Sequence, residues 1–518
     1  MALPILKFLV ATAFLLALLI LVARVLFPVP VFKQRLATIA LPPAQTGALA
    51  DALDQHGKNH AGLTGIAPLQ NGADAFAARF MLADAAVSSL DVQYYIWRAD
   101  MTGYLLLDAL RRAADRGVRV RLLLDDNGIS GLDPALSALD AHRNAEVRIY
   151  NPFNLRRFKR VSFGFDFFRL NRRMHNKAFT VDGRVSILGG RNIGDEYFGT
   201  GTNPLQVDLD VLAVGAIVPQ ISADFDRYWA AKSVHPARQI LGKPGRTDPI
   251  PHPITLGLSR FDTDPQRSEY QTLLQSSNII AALAAGTLDL EWTKAILVSD
   301  DPIKGEGAVP REDLLATRLL QAVGEIKTRF DGITPYFVPG AAGVKAFATL
   351  QSRGVTVRML TNSLEATDVV PVHAGYSKRR EAMLRAGVTL FELRRQAVGQ
   401  IKPDVFGPFG SSGSNLHAKT FAVDGTRIFV GSFNFDPRST TLNTEMGLLI
   451  ESERMALAMH SAFDQGLNGL AWRVEIRGRN PVWIDTASGT ETRDEPGASP
   501  IKRLALIIVG WLPVEWLL

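Results

Sequence analysis

Two short segments carry the residue types that can do chemistry, at identical spacing. The first reads Met174-His175-Asn176-Lys177-Ala178-Phe179-Thr180-Val181-Asp182-Gly183, then Gly189-Gly190-Arg191-Asn192. The second reads Leu416-His417-Ala418-Lys419-Thr420-Phe421-Ala422-Val423-Asp424-Gly425, then Gly431-Ser432-Phe433-Asn434. His, Lys, Asp and Asn recur at one constant offset of 242. In a strand, residues i and i+2 share a face, so each imidazole stands beside an ammonium. A turn at Asp182-Gly183 lets a second strand return Asn192 to the same edge. Two such copies facing each other present two imidazoles, two ammoniums and two amides. The cations and amides suit non-bridging phosphate oxygens, and the imidazoles can flank phosphorus from opposite sides. Asp182 and Asp424 point away from His and Lys in the strand alternation and sit at turns, so a structural role is expected for them.

The elements that must position these residues repeat as well. Asp91-Val-Gln-Tyr-Tyr-Ile96 precedes a stretch of helical apolar spacing that ends at Gly117 and leads into Val118–Leu124. Ile333-Thr-Pro-Tyr-Phe-Val338 precedes a similar stretch ending at Gly354, followed by Val355–Leu360. Further strands are expected at Val147–Tyr150 and Val388–Phe391. This strand–helix–strand alternation predicts an α/β fold with mostly parallel sheets, in two copies packed as a pseudo-dimer. The expected organisation is an N-terminal membrane anchor at 1–30, a linker at 31–70, a first domain at 71–240 and a connecting segment at 241–305. A second domain at 306–470 and a C-terminal tail at 471–518 follow. Pro244, Pro249, Pro251 and Pro253 mark the crossing between the halves.

The chain has 518 residues and no Cys, which removes disulfides, thiolate metal sites and cysteine nucleophiles. A net charge of +6 makes an anionic partner plausible, either nucleic acid or an acidic membrane surface. No His/Asp/Glu grouping has metal-ligand spacing, so neither a metal nor any other cofactor is expected. Pro4 to Phe27 is long and apolar enough to span a bilayer, with Lys7 and Arg24 near its ends. A cleaved signal peptide is the rival reading, but Arg24-Val-Leu-Phe-Pro supplies no small-residue cleavage site. Lys33 and Arg35 add to Arg24 after the span, which tilts the charge balance by a single residue. The terminal run from Ile501, with Trp511 and Trp516, suits either an interfacial anchor or a tail docked on the core. Phe153 to Arg173 holds six Phe and seven Arg or Lys. It reads either as a loop dipping into an anionic lipid surface or as a buried Phe cluster under a basic rim.

The paired His-x-Lys-x4-Asp motifs resemble those of the phospholipase D superfamily. The runs DVQYYIWRAD, RGVRVRLLLDDN, GGRNIGDEYF, SDDPIKGEG, VHAGY and GSFNFDPRSTTLNTEMG are similar to bacterial cardiolipin synthases over roughly residues 70 to 518. The resemblance implies two phospholipase D-like α/β domains; the N-terminal transmembrane helix lies outside it, and the two together lead to an expected place in the bacterial inner membrane. It implies phosphatidyl transfer through a phosphohistidine to the glycerol hydroxyl of phosphatidylglycerol. The phosphatidyl donor would be phosphatidylglycerol or phosphatidylethanolamine. By analogy His175 is the nucleophile and His417 the acid/base, with Lys177, Lys419, Asn192 and Asn434 on the phosphate. The two imidazole pKa values are expected to separate around the ordinary ~6.5.

The family also places a carboxylate behind each histidine. The expected pairs are Glu445 with His175 and Asp210 with His417. Ser432 has a hydroxyl that could bond phosphate where the first copy has Gly190. His373 follows a strand edge and is a candidate headgroup contact, beside the reading of a satisfied core residue. The remaining histidines read as core or solvated. A phospholipid hydrolase, a nucleic-acid phosphodiesterase and a non-catalytic membrane scaffold are the rivals; the apolar ends argue against nucleic acid. No protein partner is legible.

Overall fold

The computed structural model describes residues 2–29, 38–199, 206–242, 252–395, 415–478, 480–512 and 515–518. Lys33, Arg35, Pro244, Pro249 and Pro251 lie outside these residues.

Two sheets carry the molecule. The first holds nine strands in the order Glu291–Thr293, Thr64–Leu69, Asp210–Gly215, Val185–Gly189, Ala178–Val181, Ser89–Ile96, Arg119–Gly128, Ala145–Tyr150, Val234–Pro236. The second holds ten, beginning Ala295–Ser299, Met446–Ile450, Arg427–Gly431, Thr420–Val423, Arg329–Ile333, Thr356–Asn362, Thr389–Leu393. The central strands of the two therefore follow one order, as an internal repeat requires. The expectation of mostly parallel sheets is corrected. Only Ser89–Ile96, Arg119–Gly128 and Ala145–Tyr150 run parallel, with their counterparts Arg329–Ile333, Thr356–Asn362 and Thr389–Leu393. His175–Lys177 and His417–Lys419 lie just ahead of the strands Ala178–Val181 and Thr420–Val423 and not within a strand as expected; those strands fold back as tight hairpins, which forces antiparallel neighbours.

Local chemistry explains the repeat. The helix Met101–Asp115 starts at Asp100, whose side chain accepts from Gly103 N–H. It buries Leu106, Leu107, Leu110, Ala113 and Ala114 and ends before Gly117 at φ 97°. The helix Gly340–Ser352 ends likewise before Gly354 at φ 85°. Arg121 pairs with Asp91 at 2.6 Å, and Arg358 with Asp331 at 2.7 Å, between equivalent parallel strands.

The two halves share a core. Leu188, Val207, Val211 and Ile221 of the first cluster with Ile333, Leu416, Val430 and Leu448 of the second, all buried. Each such side chain contributes about 1.5–3 kcal/mol when fully buried, so separating the halves would be costly. Gln206–Val207 also pairs in parallel with Asn415–Leu416 across the boundary.

Several expected boundaries shift. Thr64–Leu69 belongs to the first sheet rather than to a linker, and the buried Leu49 and Leu53 join its core. The crossing falls at Lys294, since Glu291–Thr293 pairs in the first sheet and Ala295–Ser299 in the second. Ala471–Arg477 and Asn480–Asp485 extend the second sheet, so the tail proper starts beyond them. In that tail, the helix Pro500–Trp511 packs on Val370–Arg385. Its other side leaves Ile501, Leu504, Ile507, Ile508 and Trp511 exposed, combining docking with an apolar outer face. The N-terminal helix Ala2–Leu26 has a 23-residue apolar span, Pro4–Leu26, that the other described residues leave unburied, touching it near Arg24.

Candidate active site

Each hairpin is built by its motif aspartate. Asp182 and Gly183 have φ 55° and 63°, Asp424 and Gly425 54° and 70°, the backbone that a tight hairpin requires. The Asp182 carboxylate accepts the N–H groups of Val87, Ser88 and Ser89 at 2.7–3.2 Å. Asp424 does the same for Lys327, Thr328 and Arg329. Burial works to raise Asp424, but these backbone donors outweigh it and hold the carboxyl below its usual range. Both aspartates organise the hairpin and face away from the histidines.

Backbone pairing between the halves delivers a carboxylate to each imidazole. His175 N–H donates to Thr444 O at 2.8 Å, and the next residue, Glu445, meets His175 Nδ1 through Oε2 at 2.7 Å. His417 N–H donates to Val207 O at 2.7 Å, and the next residue, Asp208, meets His417 Nδ1 through Oδ2 at 2.5 Å. The expected pairing of Asp210 with His417 is thus corrected. Asp210 turns into its own half, accepting from Arg79 at 2.7 Å and from Arg191 N–H at 3.1 Å.

The reason lies in the register. Gly189 pairs with Asp210, and its repeat equivalent Gly431 pairs with Gly447. Asp208 therefore corresponds to Glu445, two residues ahead in each case. The loop from Asn192 is longer than the loop from Asn434, which breaks the constant offset. The Gly190/Ser432 difference is also explained. A Cβ at Gly190 would lie 2.1 Å from Asp208 Oδ1, whereas Ser432 Oγ donates to Glu445 Oε2 at 2.5 Å. The serine hydroxyl serves the carboxylate.

His175, His417, Lys177 and Lys419 are all buried. Lys177 Nζ donates to His175 O at 2.6 Å, and Lys419 Nζ reaches His417 O and, at 3.0 Å, His417 Nδ1. Asn192 Oδ1 accepts from Ile96 N–H at 3.2 Å, which directs its amide nitrogen away from that strand. Asn434 Oδ1 takes the Thr334 hydroxyl at 3.4 Å. Two residues that the sequence reading quoted only within longer runs, and did not single out, complete the walls. Tyr95 meets His175 edge to face at 5.1 Å between centroids, and Tyr197 meets His417 at 5.2 Å. Neither belongs to the His-Lys repeat, so motif spacing carries no signal for them.

The electrostatics tie both halves into one site. Burial, then Lys177 and Lys419, pushes His175 well below its ordinary value. Burial and Lys419 bring His417 down to about 4. The expected separation of the imidazoles around ~6.5 is not seen, because both feel the same burial and the same two ammoniums. Burial lowers Lys177 to about 7 and Lys419 to about 8, and raises Glu445 to about 7. Burial also acts to raise Asp208, but His417, Lys419 and Arg191 prevail and hold it low. Two lysines, two carboxylates and two imidazoles thus share one buried crevice. Among the described residues, no group of three or more His, Asp or Glu is placed to hold a metal ion. His373 is buried, with Nε2 2.9 Å from Glu495 Oε1, a contact within the protein.

A family profile described as cardiolipin synthase, PLD-like domain, matches the chain twice, at residues 81–229 and 319–467. Cardiolipin synthase C of Escherichia coli (strain K12) is 48% identical over 475 residues, covering 91% of this chain and 99% of that protein. The major cardiolipin synthase of Bacillus subtilis (strain 168) is 26% identical over 435 residues, covering 82% and 74%. The crystal structure of phosphatidylserine synthase from Haemophilus influenzae Rd KW20 superposes with a TM-score of 0.54 at 15% identity. It covers 90% of this chain and 100% of that one, a likeness of fold alone.

Proposed function

The chain belongs to the cardiolipin synthase, phospholipase D-like family, and on that premise we propose that it is a phosphatidyltransferase making cardiolipin in the bacterial inner membrane. The observation that carries the reading is the crossed pairing: each histidine is held through Nδ1 by a carboxylate of the opposite half. That leaves Nε2 of each ring for substrate. The imidazoles can therefore act on one phosphorus only when the halves are packed together.

In the proposed reaction, a phosphodiester enters between Lys177 and Lys419, with Asn192 and Asn434 donating to its oxygens. Its negative charge offsets the two ammoniums and lets an imidazole take up a proton. His175 Nε2 attacks phosphorus while His417 gives its proton to the departing glycerol or ethanolamine oxygen. His417, now neutral, removes the proton from a glycerol hydroxyl of phosphatidylglycerol, whose oxygen displaces His175 and yields cardiolipin. The assignment of His175 as nucleophile and His417 as acid/base rests on the family resemblance, since burial and the two ammoniums lower both imidazoles.

The test is product analysis by mass spectrometry in vesicles of phosphatidylglycerol and phosphatidylethanolamine, with and without chelator. Cardiolipin that survives chelation and disappears in His175→Ala and His417→Ala is the expected result, and the released alcohol identifies the donor. Phosphatidic acid alone would mean a hydrolase, the second reading, which the same site chemistry permits.

A further inference from the structure

The segment 157–168 has an outer side that the reaction does not use. Phe158, Val161 and Phe168 are exposed to 61, 59 and 70%. Arg157 and Arg160 stand exposed among them, and among the described residues no carboxylate lies within ion-pair distance of either. The Arg157 guanidinium lies 5.6 Å from the Phe158 ring centroid. The inner side is firmly held. Arg156 binds Asp133 and Asp126, Lys159 binds Asp126 at 2.9 Å, and Arg169 binds Asp166 at 2.6 Å and Asn154 at 2.7 Å. Phe153 and Phe165 are buried beneath. The stretch thus has a Phe cluster on its inner side and an apolar, cationic face on its outer side.

Its place in the molecule is set by the N-terminal helix. Arg24 Nε donates to Phe165 O at 2.7 Å, Asn154 Nδ2 donates to Phe27 O at 2.9 Å, and the Phe27 and Phe165 rings lie 6.2 Å apart. A bare apolar helix that spans a bilayer ends where hydrocarbon meets headgroups. Whatever grips residues 24–27 must share that level, and Phe168 lies three residues beyond Phe165, across a kink at Asp166. Aromatic and aliphatic side chains interleaved with free cations are the composition that binds at this boundary when the lipids are anionic.

We propose that residues 157–168 dock into the anionic leaflet from which the N-terminal helix emerges. Phe158, Val161 and Phe168 enter the acyl boundary, and Arg157 and Arg160 bind lipid phosphates. The segment continues through Asn171, which Arg438 grips at 2.7 Å, to Arg173 and His175. Docking thus brings the mouth of the crevice to the lipid surface. The proposal rests on the helix spanning a membrane and not on the reaction catalysed.

Because the chain has no cysteine, single spin labels can be placed on the full-length protein in nanodiscs. Phe158→Cys, Val161→Cys and Phe168→Cys are compared with Leu15→Cys as a bilayer reference and Ser352→Cys as a water reference. The discs contain phosphatidylcholine, with or without phosphatidylglycerol. In the phosphatidylglycerol discs, the three labels should collide more with oxygen than with a water-soluble nickel chelate, as Leu15→Cys does. Arg157→Glu/Arg160→Glu should shift them towards the Ser352→Cys value. Three labels that match Ser352→Cys while Leu15→Cys reads bilayer would overturn the docking. Water-like readings at Leu15→Cys as well would overturn it by removing its premise. Equal insertion without phosphatidylglycerol would overturn the anionic part. None of these readings depends on turnover, so activity tests stand apart.

Discussion

At the scale of single residues, the two aspartates of Val207-Asp208-Leu209-Asp210 have different tasks. Asp208→Asn removes the charge behind His417 and should lower kcat by about 10²–10⁴-fold with little change in Tm, as losing a general acid/base does. Asp210→Asn instead leaves Arg79 without its buried partner. It should cost about 3–5 kcal/mol of stability, read as a fall in Tm, because breaking a buried pair strands a charge. Gly190→Ser copies the second half but drives a Cβ into Asp208, so activity should fall although a hydroxyl is gained. The ammoniums predict a pH dependence. Lys177 at about 7 and Lys419 at about 8 are charged below those values and neutral above them. The free-enzyme profile of kcat/KM should begin to fall as pH rises past about 7, where Lys177 loses its proton, and steepen past about 8, where Lys419 does. Lys419→Arg should remove the steeper part and leave the limb set by Lys177.

At the scale of elements, the hairpins were legible and their partners were not. The Asp-Gly turns and the returning Asn follow from turn chemistry and strand periodicity, whereas the His-Lys pairs lie just ahead of the strands Ala178–Val181 and Thr420–Val423 and not in them. The carboxylate behind His417 did not follow, because Asp208 and Asp210 share a strand face and alternation cannot choose between them. Only the pairing of Gly189 with Asp210 settles which one faces the other half. The parallel-sheet expectation failed for a related reason: strand–helix–strand patterning describes three strands of each sheet, and the hairpins supply the antiparallel rest. The turn aspartates give a prediction of their own. Asp182→Ala leaves three backbone donors unmet, that of Ser89 buried, and should cost about 2 kcal/mol of stability while leaving kcat per folded molecule unchanged.

At the scale of the whole molecule, the repeat makes a site that neither half contains. The shared core and the crossed carboxylates place two imidazoles and two ammoniums in one buried crevice. The bare N-terminal helix adds a second requirement, delivery to lipid. Deleting residues 1–29 should lower activity on vesicles by about tenfold or more, through lost local concentration. Activity on short-chain phosphatidylglycerol dispersed in detergent should persist.

In the proposed reaction His175 carries the phosphatidyl group between two alcohols. Brief incubation with phosphatidylglycerol, a denaturing quench at alkaline pH and peptide mass spectrometry would trap that intermediate. An acid-labile phosphatidyl adduct is expected on the peptide containing His175, absent from His175→Ala and discharged by added acceptor lipid. An adduct on His417 would reverse the roles of the two histidines. Cardiolipin forming with no adduct on either would contradict the two-step transfer.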